Sequence, residues 1–521
     1  MIDLKSVTKL SRMKLSKSIL SRVVLFAFAL FMSIFFFSST CLATTTRNYR
    51  IDFSYWNSGM EYAVRNALSQ IDGKDRSIGY VYTSDLEKIK ELSIDYNEVS
   101  NIRGIEKLKN LQTLKIYTNS NKNIKVLNDR IYRYIFQRSY RYGTYLGRLK
   151  HLKKVDLSEN GIEDVSYIAA ALIGISQVQS IDLSSNNIKD ISALGYCHNI
   201  KELKISNNNI NNISSLKYLR NLEKLDISNN LVQNIYPLRY LRNLKSLNIG
   251  GNNIENLYPL SNLINLEELY MSGNIQAKDI TSDRYIEISL DNVIDDKKLK
   301  LNGRYISIFS KDWNDNYTIY NNKYIIYHKD YIIYNKKPVD ITPLEKITSL
   351  KKLDVSNNYL TSIYPLHTLT NLEYLDISHN DINDISYIAD MVKLKELHAE
   401  FNDQIEDIGA LSDLASLEKL DISNNNIGDI SSLRNLVRLK YLDISCNNVS
   451  NIDSLEWISP HKDINTGEYL SGLIELKLNG NTIKDVYALV CMSNLEKLYI
   501  DSTDIDLSPL KNLQKLKEIR E

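Results

Sequence analysis

Along NLEKLDISNNLVQNIYPLRYL, residues 221–241, apolar side chains fall at Leu222, Leu225 and Ile227 and again at Val232, Ile235, Leu238 and Leu241, with Asn230 between the groups. The two-residue step from Leu225 to Ile227 predicts a three- or four-residue strand with Lys224, Asp226 and Ser228 outward. The wider spacing after Asn230 predicts a returning arm that faces the same core. The frame Leu-x-Leu-x-x-Asn recurs around Asn97, Asn119, Asn160, Asn186, Asn208, Asn230, Asn252 and Asn274. It returns at Asn358, Asn380, Asn402, Asn425, Asn447 and Asn481, and once more with Thr503 in the Asn place. From Asn186 to Asn274, and at most steps after Asn358, the interval is 22 residues. Self-similarity at that period is the signature of a solenoid.

The chemistry of each position follows. After the strand the chain turns inside the core, where unpaired backbone amides and carbonyls are costly. Asn offers a donor and an acceptor on a short stem, so it can bond that turn from within. Pro237, Pro259, Pro343 and Pro365 each stand seven residues after the Asn position. That place suits the start of a short helical turn, where a missing N–H costs nothing. One coil cannot bury its own apolar face, so coils stack and their strands join in a parallel sheet. The expected fold is an α/β solenoid, curved, with the sheet on its concave side.

The 22-residue unit LxxLxxLDISNNxIxxIxPL resembles the bacterial leucine-rich repeats of the internalin type, over about 84–118, 149–275 and 336–510. The segment MEYAVRNALSQIDG, Met60 to Gly73, with YVYTSDLEKIKELSI after it, resembles the helical N-terminal cap of that family, placed at 44–83. No immunoglobulin-like module and no Leu-Pro-x-Thr-Gly signal follows the repeats. The resemblance therefore implies a fold and protein binding through the concave face, as in adhesion and virulence factors, without naming a receptor.

The array is interrupted between repeats at 84–279 and 333–521. Segment 120–148 is basic and aromatic; Leu127, Ile131, Tyr134 and Ile135 share a helical face, with Arg130, Arg133 and Arg141 mostly off it. It reads either as a surface helix for a membrane or wall polymer or as an ordinary packed helix with solvated arginines. Segment 280–332 is Tyr-rich and alternates apolar with polar residues, which predicts two or three antiparallel strands. It reads either as a β-rich module for a partner or as a spacer. A third insertion, 459–472, has the composition of a surface loop.

Composition changes the picture at the N-terminus. The first 43 residues hold six Lys/Arg against Asp3, followed by VVLFAFALFMSIFFF and SSTCLA. This describes a signal peptide ending at Ala43, or an uncleaved anchor over Val23–Leu42. Either places the chain outside the cytoplasm, secreted or at the cell surface. Without that segment the chain is slightly acidic, with no nucleic-acid footprint. Cys197, Cys446 and Cys491 suggest neither a disulfide framework nor a metal site.

Little predicts catalysis: no nucleophile elbow, phosphate loop or zinc motif occurs, and an enzymatic reading would need a small hydrolase in 280–332 without an acid/base constellation. No cofactor or metal is expected. Asp156, Asp182, Asp226, Asp354, Asp376, Asp421 and Asp443 share an outward strand position. They could bind a cation or a basic partner, or simply follow the repeat consensus. Coils that leave the consensus outward mark the candidate partner surface: Tyr270, Tyr374, His379, His398, Glu400, Phe401, Tyr441 and Tyr499. Exposed aromatics are common interface anchors. The expectation is a monomeric binder of a protein ligand; the alternative is an envelope-associated scaffold that uses the N-terminal anchor and 120–148.

Overall fold

In each described coil before the last strand a central strand side chain, such as Leu225, Leu269 or Leu375, is buried beneath outward-facing neighbours. The structure is a computed structural model that describes residues 48–95, 98–99, 102–117, 148–173, 175, 177–274, 338–460, 472–501 and 505–520, with backbone strands inside 285–333 and 461–470. The 1–43 leader, Asn97, Asn119, Thr503 and the 120–147 insertion lie outside the described residues.

The chain divides into two units, one of residues 1–52 and 79–85 and one of residues 53–78 and 86–521. In the smaller, Arg50 and Tyr82 form an antiparallel bridge, and the Ile51 amide donates to the Val81 carbonyl at 2.7 Å. The larger carries a 16-stranded parallel sheet in which strands follow one another in chain order. It runs from Glu91–Asp95 through Thr113–Tyr117 and then one short strand per coil to Glu518–Arg520.

Register is kept across each interruption. Glu268, Leu269 and Tyr270 pair with Lys352, Leu353 and Asp354, so the sheet passes over the long insertion as if it were absent. Thr113 pairs with Lys154 and Tyr441 with Glu475 across the other two. Within the long insertion, seven short strands between Tyr285 and Ile333 form two antiparallel sheets.

The returning arms are mostly short 3-10 helices, such as Tyr236–Tyr240 and Tyr258–Asn262, each with a proline near its start. A 3-10 turn is tight enough to carry the chain back within 22 residues. Val232, Ile235, Leu238 and Leu241 from one such arm are all buried.

The interior asparagines join neighbouring coils. Asn230 Nδ2 donates to the carbonyls of Ile227 and Ser228 in its own turn, at 3.1 Å each, and to Ile205 in the preceding coil at 2.9 Å. Its Oδ1 accepts the Ile210 amide at 3.0 Å. Asn186, Asn208, Asn252, Asn274, Asn358, Asn380, Asn402, Asn425, Asn447 and Asn481 likewise donate to a carbonyl of the coil before. Asn160 Nδ2 reaches the Ile116 carbonyl at 2.7 Å.

Ahead of the sheet, helix Ser58–Asp72 starts where Asn57 Oδ1 accepts the Gly59 amide and stops at Gly73, in the left-handed region at φ 68°. It buries Met60, Ala63, Val64, Ala67 and Leu68 and contacts the first strand. Gly104, at φ 101°, meets the Trp56 ring so closely that a Cβ there would stand 2.4 Å from it.

Candidate functional site

The outward side chains of the sheet form rows, and two of these rows neutralise themselves. One position before the strands, Lys201, Glu223, Lys245, Glu267, Lys351, Glu373, Lys395, Glu418 and Lys440 alternate in sign coil after coil. Glu223 pairs with both Lys201 and Lys245 at 3.1 Å; Lys351–Glu267 and Lys395–Glu373 stand at 2.7 Å and Lys440–Glu418 at 2.6 Å. Lys201, Glu223, Lys245, Glu267, Lys351 and Glu373 border a groove of about 930 Å³, but their charges are already matched. In the next row Lys352 pairs with Glu268, Lys419 with Glu396 and Lys497 with Glu475.

The third row holds the aspartate column. In all seven coils Asp Oδ1 accepts the Ser amide and hydroxyl two residues on, as Asp226 does from Ser228 at 3.0 and 2.7 Å. The same bonds recur at Asp156, Asp182, Asp354, Asp376, Asp421 and Asp443. One carboxylate oxygen is thus used to close the turn. Lys partners exist only for some: Lys115 with Asp156, Lys204 with Asp182 and Lys477 with Asp443.

His398 breaks this column between Asp376 and Asp421, its register partners. Its Nε2 meets Glu396 Oε1 at 2.8 Å, and its Nδ1 faces Glu400 Oε2 at 3.7 Å. The Tyr374 ring lies 5.8 Å away, with its hydroxyl donating to Asp376 Oδ2 at 3.4 Å. Glu400, working against burial, and then Glu396 push the imidazole up to about 9. Burial resists ionisation of Glu396, yet Lys419 and His398 outweigh it and hold that carboxyl below its usual range. Burial first, then Asp443 and Glu400, raise Asp421; burial raises Tyr374 too.

Beside this cluster His379 and Phe401 stack at 4.5 Å, rings 11° apart. Both precede a ladder Asn and have positive φ, 52° and 56°. The equivalent places hold Asn207, Asn229, Asn357 and Asn424 or Gly251, Gly273 and Gly480, residues that tolerate that conformation, and in three coils Glu159, Ser185 and Cys446. A phenylalanine there is strained and 43% exposed.

The structure therefore brings Tyr374, His379, His398, Glu400 and Phe401 onto two adjacent coils. Tyr441 stands two strands farther on. Tyr270 lies two strands before Tyr374, half-buried. Tyr499 sits between Lys477 and Arg520, each within 6 Å of its ring. Glu396, two residues before His398 on the same strand, and Asp421, its lateral partner, complete the His398 cluster; strand pairing alone shows Asp421 as a neighbour.

The described residues contain no helix long and apolar enough to cross a membrane. A family model for leucine-rich repeats (two copies) matches residues 176–218, 242–284, 348–387, 370–416 and 415–457, and a single-repeat model matches 148–168. No curated protein matches. Among solved structures, a TDR receptor is 16% identical over 72% of this chain and 56% of its own, with a TM-score of 0.50. The internalin InlF of Listeria monocytogenes is 22% identical over 90% of this chain and 98% of its own, at 0.49. A Leptospira interrogans leucine-rich-repeat protein is 17% identical over 80% and 97%, also at 0.49. With the repeats matched by sequence and sixteen strands in one parallel sheet, the chain carries leucine-rich repeats stacked as a solenoid of 22-residue units.

Proposed function

We propose that this is an exported protein that binds a protein ligand on the open, concave face of its sheet and catalyses no reaction. In this reading residues 1–43 direct export, 44–83 cap the array, and 280–332 is an inserted module. The ligand sits over Tyr374, His379, His398, Glu400 and Phe401, with Tyr270, Tyr441 and Tyr499 as outlying contacts. The observation that carries the reading is the stacked His379–Phe401 pair at left-handed positions, where every other described coil uses a small or polar residue. Holding an exposed aromatic against its backbone preference costs of order 1 kcal/mol or more, and such strain gathers at functional sites. The neighbouring rows, whose charges are matched internally, offer a partner much less.

The test is affinity capture from extracts of surface proteins, comparing the chain with one carrying Tyr374→Ala, His398→Ala and Phe401→Ala. A second variant with Tyr196→Ala, Tyr218→Ala and Tyr258→Ala alters exposed tyrosines on the helical side. Loss of the same ligand in the first variant alone supports the reading. Equal capture by both rejects it.

A further inference from the structure

His398, Glu400 and Asp421 present ligand atoms all within 4.8 Å of one another on the open face of the sheet. We propose that these three side chains bind one divalent transition metal of the zinc class, through the imidazole Nδ1 and two carboxylates. This goes beyond the protein-binding reading and holds whether or not a protein partner docks there.

Four observations carry it. The first is spacing: His398 Nδ1 and Glu400 Oε2 are 3.7 Å apart, too long for a hydrogen bond. Two ligands on one tetrahedral zinc, each bonded at about 2.0–2.1 Å, stand roughly 3.4 Å apart, so a small closure satisfies the ion. The second is an orphan: Glu400 Oε2 is buried and, among the described residues, has no hydrogen-bond partner. A carboxylate oxygen kept from water wants a proton or a cation. The third is the far side of the ring. Glu396 Oε1 takes Nε2 at 2.8 Å and is itself pinned by Lys419 at 2.7 Å. A carboxylate that orients a histidine from its other nitrogen is the usual outer support of a metal-bound imidazole. The fourth is charge. Asp421 uses Oδ1 on Ser423, and the adjacent Lys419 is spent on Glu396. Asp443, next in the row, is matched by Lys477 at 2.9 Å, whereas Asp421 has no Lys ion pair among the described residues.

An imidazole nitrogen with two carboxylate oxygens suits zinc and its neighbours better than calcium or magnesium, which prefer all-oxygen sets. Three protein ligands leave a fourth position open. Because the three side chains stand half-buried on the outward face of the sheet, that position is open to solvent. Without the ion, the imidazole stands between the Glu396 and Glu400 carboxylates.

The test is calorimetric titration of the full chain, stripped with chelator, with Zn2+ alone, then with Ca2+ and Mg2+. The expected result is one Zn2+ per chain at micromolar affinity or better, with calcium and magnesium unable to compete. His398→Ala, Glu400→Gln and Asp421→Asn should each weaken that binding at least tenfold, and Glu396→Gln about tenfold through loss of ring orientation. His367→Ala removes a histidine stacked on Tyr364 elsewhere and should change nothing. Co2+ bound in place of Zn2+ should give a visible absorption that disappears in His398→Ala. Metal-free melting curves matching the parent chain show that each variant folds. Absence of a Zn2+ site, equal loss in His367→Ala, or competition by Ca2+ at equal affinity would overturn the assignment and leave a hydrogen-bonded salt bridge. Phe401→Ala keeps all three ligands, so loss of a protein ligand in that variant with Zn2+ binding intact separates the two readings.

Discussion

At the scale of single residues, interior asparagines and left-handed positions divide structure from function. Asn230→Ala would leave the Ile210 amide and carbonyls of two coils without their partner. The expected loss is about 2–4 kcal/mol, read by chemical denaturation, because buried groups stripped of a partner cost far more than the bond contributes. Phe401→Asn should behave otherwise. Relief at φ 56° gains about 1 kcal/mol, while loss of the His379 stack costs a similar amount, so stability should stay within about 1 kcal/mol of the parent. A fall beyond 2 kcal/mol would make Phe401 a structural residue and remove the argument for a contact surface. Cys197 gives the pH dependence. Burial pushes its thiol up to about 11 from an ordinary value of 9.0. Between those values the unfolded chain sheds the proton and the folded chain keeps it, so this group lowers stability as pH rises from about 9 to 11. Cys197→Ala should flatten that part of the melting-temperature profile; an unchanged slope would place its cause elsewhere.

At the scale of elements, the sheet is indifferent to what is inserted between its strands. Glu268–Tyr270 meets Lys352–Asp354 directly, Asn256 bridges to Asp340, and the Asn274 amide reaches Asn358 Oδ1 at 3.1 Å. Removing 275–336 restores the 22-residue step, provided Pro338, which then falls in the core place of Ile254, becomes Ile. That excision should keep a single cooperative unfolding transition; aggregation or a second transition would show that the insertion supplies part of the core. The strands, the turn asparagines and the proline-led arms were legible because each coil repeats the same solution to the same burial problem. The alternation of Lys and Glu from coil to coil was legible in principle. It escapes a reading that compares each coil with a consensus, since it exists only between neighbours. The His398 cluster was half legible for a related reason. His398 and Glu400 depart visibly from the repeat, but Asp421 is ordinary consensus and gains a second role only because His398 lies beside it.

At the scale of the whole repeat array, stability is a sum over contacts between neighbouring coils, so it should vary along the chain. An interior coil is bonded on both sides through its strand, its Asn and its charged rows. Among the described residues the strand Glu518–Arg520 has a sheet partner on one side only, and Ile519 is 44% exposed where the matching residues Leu498 and Leu476 are fully buried. Surface ion pairs such as Lys517–Glu496 at 2.9 Å are screened by solvent and cannot replace a missing neighbour. Opening should therefore begin at this strand and move inward coil by coil. Amides around 203–271 and 353–444, bonded from both sides, should exchange only on global unfolding. Hydrogen exchange followed by mass spectrometry of peptic fragments should then show protection rising from 518–520 through 497–499 to a plateau before 441–443. Equal protection from Lys352 to Arg520 would mean that the coils open as one body.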